Sequence, residues 1–157
     1  MSTGIVDHSA LKVNQTGIVA TVVVAFLASA VFRPALFLIP FLAIVLLAGT
    51  VDPRLALFKQ LYFNVLKPRG IVKPRPVPDR PEPHNFAQGL GGVFLAVASI
   101  LLYVGSVAYG TGVLAVLGLA LALLVAVLAF VNLAFGYCLG CQIYFQLGKA
   151  GLIKATR

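Results

Sequence analysis

Acidic residues are almost absent from this chain. Its 157 residues include only four Asp and Glu, and none lies deep within an apolar stretch. A proton relay built from carboxylates inside a membrane therefore has no candidate. The sequence also shows no Ser-His-acid set, no Gly-rich phosphate loop and no paired carboxylates. Hydrolysis by these routes and nucleotide binding consequently have no motif to support them.

Charge of either sign is scarce, and apolar residues take its place. Charged residues make up 10% of the chain and hydrophobic residues 61%, with a mean hydropathy of +1.03. Soluble domains average about 25% charged and about 45–50% apolar residues. So much apolar surface cannot be packed into one small core, and disordered chains lack it. The composition predicts a membrane protein.

The formal net charge of +8 is unevenly distributed. Seven of the twelve basic residues lie in one stretch between apolar segments: Arg54, Lys59, Lys67, Arg69, Lys73, Arg75 and Arg80. That placement is typical of a cytoplasmic loop of a membrane protein. Nucleic-acid binding would need a basic face with stacking aromatics, so we expect no nucleic-acid partner.

Four apolar stretches approach the length of about 20 residues that a helix needs to cross a bilayer. They cover residues 16–32, 34–51, 89–109 and 113–137. We expect an all-α membrane protein of four transmembrane helices in two hairpins, with turns at Arg33 and at the GTG of 110–112. The excess of basic residues in the middle segment and tail places both termini in the cytoplasm. No cleavage site follows the first apolar run, so the first span is expected to be retained.

The segment between the hairpins has two parts. Residues 53–67 place Leu55, Phe58, Tyr62, Val65 and Leu66 near one face, which predicts an amphipathic helix at the membrane interface, or else a continuation of the second span. Residues 68–84 carry six prolines and predict a stiff, extended linker across the cytoplasmic face.

The two cysteines of the chain, Cys138 and Cys141, follow the longest apolar run and open a short amphipathic segment, 138–153. A break at Gly136 would give Cys138 a helix N-terminus, which stabilises a thiolate and lowers its pKa. An unbroken helix would leave Cys138 near a negative helix end. A cytoplasmic pair is expected to be reduced at rest rather than a permanent disulfide.

Three uses of this pair remain open. Thiol–disulfide exchange or sulfur transfer would have one cysteine attack and the other resolve. A metal would need two further ligands, for which the chain offers only His8 and His84. Otherwise the two small side chains simply pack at a helix end. Asp7 and His8 could also act as an acid–base pair near a thiol.

A few polar side chains accompany the apolar helices. Asn132 lies deep in the fourth span, whereas Asn14, Gln15 and Gln88 lie near the cytoplasmic boundary. They could form a polar rim beside the cysteines. Alternatively, Asn132 forms a hydrogen bond between helices, and the other three are ordinary interface residues.

Three stretches together resemble one bacterial family: VDHSALKVNQTG before the first span, HNFAQGLGGVF entering the third, and GYCLGCQIY after the fourth. The chain resembles the domain of unknown function 4395, a family of small bacterial membrane proteins without an established activity. The resemblance implies a multi-pass protein of the bacterial inner membrane. The residues that match its recurring positions are Asn14, Gln15, Gln88, Cys138 and Cys141.

Two functions follow as hypotheses. One is a membrane thiol–disulfide or sulfur-relay protein, without a cofactor, that works with a soluble thioredoxin- or rhodanese-like partner. The other is a structural or accessory subunit of a larger membrane complex, with Gly136 and Gly140 at the spacing that favours helix association. A transporter of four spans would have to oligomerise, and no charged residue within a span marks a pathway.

Overall fold

A computed structural model describes residues 4–105 and 112–152. Most of them are helical: α1 (His8–Ser29), α2 (Leu38–Val51), α3 (Leu57–Leu61), α4 (Pro81–Tyr103), α5 (Gly112–Phe135) and α6 (Leu139–Lys149). Short 3-10 turns cover Arg33–Phe37 and Pro53–Leu55, and a π-helical turn covers Tyr62–Leu66. Residues 110 and 111 of the predicted GTG turn, and the end of the predicted 138–153 segment, lie outside the described residues.

Four helical segments are long and apolar enough to span a membrane, as the sequence predicted. They are His8–Ser29, Arg33–Val51, Pro81–Tyr103 and Gly112–Phe135. Two of them begin earlier than the apolar runs do. The Asp7 side chain accepts a hydrogen bond from the Ser9 N–H and so caps α1 at His8. Proline is favoured in the first turn of a helix, and Pro81 begins α4.

The four spans form a closed ring in which each helix contacts two others. α1 packs against α2 and α5, and α4 packs against the other side of α2 and of α5. The core between them contains many small residues, among them Ala25, Ala98 and Ala122. At Gly118 an added Cβ would lie only 2.8 Å from the Ala98 carbonyl oxygen, so α4 and α5 are in backbone contact there.

Residues 53–67 do not form the single amphipathic helix that their spacing predicted. A non-helical residue, Ala56, separates the 3-10 turn Pro53–Leu55 from α3, which passes into the π-helical turn. Phe58 packs on α1 at Gly17, where no Cβ intervenes. Tyr62 is fully buried, whereas Leu55 is exposed. The segment therefore packs against the bundle through Phe58 and Tyr62, which are four residues apart, and not through Leu55. An interfacial position in a membrane stays a prediction.

Two short strands depart from the all-α prediction. β1 (Gly4–Asp7) pairs antiparallel with β2 (Pro76–Asp79), with Gly4 opposite Asp79 and Asp7 opposite Pro76. Proline is tolerated in β2 because both strands of a two-stranded sheet are edges. The predicted extended linker of 68–84 thus ends in a strand and in the first turn of α4. This pairing holds the start of α1 beside the start of α4.

Candidate functional site: a disulfide beside an apolar cavity

The helix is interrupted between α5 and α6. The sequence left open whether it would stop at Gly136 or continue through it. α5 ends at Phe135, and Gly136 adopts a φ of 70°, which favours glycine. The Gly136 N–H donates to the Asn132 carbonyl at 2.9 Å and closes α5. Cys138 is then the N-cap of α6, so its sulfur lies at a helix N-terminus.

The two cysteines form a disulfide. The sequence predicted that both thiols would be free at rest. The structure instead shows the oxidised form of the pair. Extended backbone at Cys138 followed by the first turn of α6 brings the Cα atoms to 5.2 Å, within the range for a disulfide. The Cys141 N–H donates to Cys138 Sγ at 3.2 Å. Cys138 is half-buried, whereas Cys141 is 9% exposed.

Helix α6 is held against α4 by a close approach of backbones. A Cβ on Gly140 would lie 2.6 Å from the Ala87 methyl, so only glycine fits at this contact. Gly136 and Gly140 lie on opposite sides of the helix break. They do not form the helix-association face that their spacing suggested. Gly140 instead brings the first turn of α6 next to the first turns of α4.

His84 lies between the disulfide and a carboxylate. Its Nδ1 is 3.7 Å from Cys141 Sγ, and its Nε2 is 3.0 Å from Asp79 Oδ2. A carboxylate accepts hydrogen bonds, so we assign the Nε2–H tautomer to the neutral ring, which leaves the lone pair of Nδ1 facing the sulfur. Asp79, His84 and Cys141 therefore form a line in which a carboxylate orients a base toward a sulfur.

Asp79 is fixed by several donors at the end of β2. Its Oδ1 accepts from the Arg80 N–H at 2.7 Å, and Oδ2 also accepts from His8 Nε2 at 3.2 Å. Burial acts to raise the pKa of Asp79, but the hydrogen bonds from His84, Arg80 and His8 and the charge of His84 outweigh it and lower that pKa. Asp79 is thus held as a carboxylate.

Asp7 has a separate role and does not pair with His8 as an acid–base couple. It accepts hydrogen bonds from the Tyr62 hydroxyl at 2.8 Å and from the N–H groups of Ser9 and Arg75, both at 3.0 Å. Burial acts to raise the pKa of Asp7, whereas these donors lower it by more. Asp7 joins α1, β2 and the π-helical turn.

A cavity of about 290 Å³ lies between α1, α4, α5 and α6. Its walls are mostly apolar, and His84 and Cys138 lie in its lining. The four polar residues singled out from the sequence also line it: Asn14, Gln15, Gln88 and Asn132. The structure thus brings the proposed polar rim and one of the two sulfurs to a single cavity.

The buried amides of this cavity differ in their partners. Gln88 is 8% exposed and donates to the Leu46 carbonyl at 3.1 Å. Asn14 is 5% exposed, and no hydrogen bond joins its side chain to another residue in the described part of the chain. No completely buried side-chain nitrogen or oxygen among the described residues lacks a partner, so the Asn14 amide remains accessible from the cavity. Its amide is left available to whatever occupies the cavity.

The four ligands considered for a metal do not all come together. His84, Cys138 and Cys141 place their ligand atoms within 4.8 Å of one another. The His8 ring instead stands 6.2 Å from the His84 ring, and its Nε2 bonds Asp79. Metal-binding cysteines are thiolates, so a metal would require the reduced pair and a fourth ligand.

Asp79 is a site residue that the sequence alone did not indicate. It lies in the Pro-rich segment five positions before His84, and nothing local there indicates a site. His84 was considered only as a metal ligand. Its position at the start of HNFAQGLGGVF, one of the three stretches that resemble the family, could have indicated a further role.

The family resemblance is confirmed by comparison with known proteins. A family model described as "Domain of unknown function (DUF4395)" matches residues 6–149. No curated protein and no solved structure matches the chain.

Proposed function

Since the chain belongs to the DUF4395 family, whose description carries no activity, we propose its function from the geometry of the site: thiol–disulfide exchange at a membrane. The Cys138–Cys141 pair would cycle between a disulfide and two thiols. The observation that carries this proposal is the line from Asp79 through His84 to Cys141, next to a Cys138 that caps a helix.

The two sulfurs have different surroundings, which assigns them different roles. Cys138 is the more exposed, and the N-terminus of α6 would stabilise it as a thiolate. Cys141 is buried and faces the Nδ1 of His84. Cys138 is therefore the sulfur that exchanges with a partner, and Cys141 is the sulfur that resolves the mixed disulfide.

The reaction starts from the disulfide. A partner thiolate attacks Cys138 Sγ, a new S–S bond forms between them, and Cys141 leaves as a thiolate that takes a proton from protonated His84. The second thiol of the partner then attacks the mixed disulfide and releases Cys138 as a thiolate. The partner loses two electrons and two protons and becomes a disulfide, and the pair becomes a dithiol. The reverse sequence reduces a partner disulfide, with His84 accepting the Cys141 proton.

The proposed setting is the bacterial inner membrane. The basic residues concentrate between Arg54 and Arg80, which supports cytoplasmic termini and a site on the cytoplasmic side. The partner would be a soluble protein with a reactive thiol pair, of the thioredoxin type. A rhodanese-like partner would instead act on the reduced pair: the Cys138 thiolate would attack the outer sulfur of the partner's persulfide, and the partner's cysteine would leave as a thiolate.

The test is redox titration of the purified full-length chain in detergent. The protein is equilibrated with mixtures of reduced and oxidised glutathione, quenched in acid, and alkylated with a reagent that adds a known mass to each thiol. Wild type should move between zero and two labels with one midpoint. A pair that stays oxidised throughout, or never re-forms a disulfide, overturns the proposal.

The role of His84 is tested by the rate of exchange. His84→Gln should slow exchange by about 100-fold, the lower end of the usual effect of a general base. His8→Gln is a matched control, because His8 also donates to Asp79 Oδ2 but does not face the sulfur. Cys141→Ser should trap a mixed disulfide on Cys138, and Cys138→Ser should trap none. Equal rates for the two histidine variants would contradict the assignment of His84.

A further inference from the structure

The cavity beside the disulfide has walls suited to an apolar ring. Its lining includes Ile18 of α1, Phe94 of α4, and Leu124 and Leu128 of α5. All three helices are candidate membrane spans. Its volume of about 290 Å³ is at the lower end of the range for small-molecule sites. A ligand of one or two rings fits this size.

Polar side chains form the smaller part of this lining, and they include His84 and Cys138 of the proposed redox site. Asn14 is 5% exposed, and its side chain forms no hydrogen bond with another described residue. Its amide atoms are not fully enclosed, since no completely buried side-chain nitrogen or oxygen among the described residues lacks a hydrogen bond, so this amide can hydrogen-bond to a ligand in the cavity. No Lys or Arg belongs to the described lining, which disfavours a fatty acid or another anion.

We propose that this cavity binds a quinone that oxidises the reduced cysteine pair. This inference rests on the proposed function, and it names the second substrate of the same site. A quinone combines an apolar ring with carbonyl oxygens that accept hydrogen bonds, which matches the walls and the free amide of Asn14. Cys138 lies in the lining, so the ring would rest against the sulfur that reacts.

The proposed step is balanced within the site. Cys138 and Cys141 form an S–S bond and give up two electrons, which reduce the quinone. The two thiol protons move to the two quinone oxygens, and a hydroquinone leaves. His84 lines the cavity and also faces Cys141. It can therefore take the Cys141 proton and deliver it toward the bound ring.

The cycle then passes electrons from a thiol partner to the lipid phase. A partner dithiol reduces the disulfide, and the quinone restores it. The pair acts as the relay between a soluble donor and a membrane-soluble acceptor.

The experiment uses the full chain in detergent, reduced and freed of reductant without oxygen. A short-chain ubiquinone is added, quinone absorbance is followed, and alkylation counts the remaining thiols. One quinone should be consumed for each disulfide formed. Gly91→Leu should slow this step at least tenfold, because a Cβ there makes only ordinary contacts, at 3.7 Å from Val125, and the added side chain fills the cavity.

Matched control variants distinguish an effect on the cavity from an effect on folding. Gly112→Leu places the same side chain where a Cβ meets nothing within 4 Å, and it should react like wild type. Asn14→Ala should slow quinone reduction by about fivefold, the usual effect of one hydrogen bond. Asn64→Ala removes an exposed amide that bonds only Gln60 among the described residues, and it should have no effect.

The outcomes distinguish the two proposals. If glutathione exchanges with the pair but quinone leaves the thiols intact, the quinone site is wrong and thiol exchange stands. If neither reagent changes the pair, both proposals fail. If quinone oxidises Gly91→Leu, Asn14→Ala and wild type at the same rate, the reaction occurs outside the cavity and this inference is overturned.

Discussion

At the scale of single residues, the site depends on two carboxylates in a chain that has only four acidic residues. Asp79 orients His84, and Asp7 connects β2 to Tyr62 and to the start of α1. Both carboxylates hold their positions because they accept several hydrogen bonds each. The sequence could show how rare they are. Asp7 depends on Tyr62 and on Arg75, both more than 50 positions away, and no local pattern contains those. Asp79 lies only five positions before His84, but nothing in the Pro-rich segment indicates that the two side chains meet.

Asp7 should make stability depend on acid pH. Its pKa in the folded chain is lowered from the ordinary value of 3.8, so it stabilises the fold fully above that pH. The contribution is lost as the pH falls through the lowered folded-state value. Thermal unfolding between pH 2 and pH 6 measures this. Asp7→Asn keeps a good N-cap residue and should make the acid decline shallower.

Tyr62→Phe tests the same role of Asp7 by removing one of its hydrogen-bond donors. It removes one of the donors that lower the pKa of Asp7, so its acid decline should lie between those of wild type and Asp7→Asn. An unchanged profile in both variants would show that Asp7 does not link folding to pH.

At the scale of elements, apolar runs predicted the four spans because a bilayer-spanning helix leaves a long, uniform signal. The starts of α1 and α4 were missed because capping by Asp7, and a proline at the first position of α4, extend these helices into polar sequence. The β1–β2 pairing was also missed. It joins two four-residue segments far apart in the chain, one of them rich in proline. The neighbourhood of Cys141 and His84 follows from the packing of α6 on α4, which also joins segments far apart in the chain.

The break between α5 and α6 should depend on Gly136. Gly136→Ala places a Cβ on backbone with a φ of 70° and should cost about 1–2 kcal/mol locally. The break would shift, Cys138 would lose its place at the helix N-terminus, and alkylation of the reduced pair at neutral pH should become slower. Mass spectrometry of timed alkylation measures this rate.

Gly151→Ala provides the control for that variant. Gly151 follows the C-terminal end of α6. Its φ is 74°, and an added Cβ would have no atom within 4 Å. It carries the same backbone strain without touching the cysteines. If both variants slow alkylation equally, the effect comes from general destabilisation and the assigned role of Gly136 is wrong.

At the scale of the whole molecule, the ring of four helices is closed by small residues. The contact of α4 with α5 at Gly118 leaves no room for a methyl group, whereas Gly112 at the start of α5 meets open space. Many large apolar side chains on the outside of the ring are exposed, including Phe26, Phe41, Ile100 and Phe130. A membrane would cover these, which is consistent with the four candidate spans.

Two alanine variants should therefore separate packing from helix propensity. Gly118→Ala should lower the free energy of unfolding by about 1–3 kcal/mol, because overpacking forces α4 and α5 apart. Gly112→Ala should instead stabilise by up to about 1 kcal/mol, the propensity difference between Gly and Ala. Denaturant unfolding of the purified protein in detergent measures both. Destabilisation by both variants alike would contradict a packing role for Gly118.

The disulfide presents its two sulfurs unequally, since Cys138 lies in the cavity lining and Cys141 does not. For the proposed cycle, the soluble thiol donor and the quinone must both react through Cys138. The donor can form its mixed disulfide only while the pair is oxidised, and the quinone can act only once that partner has left. The two half-reactions must then alternate, which gives ping-pong kinetics. The soluble substrate and the lipid substrate never need to meet.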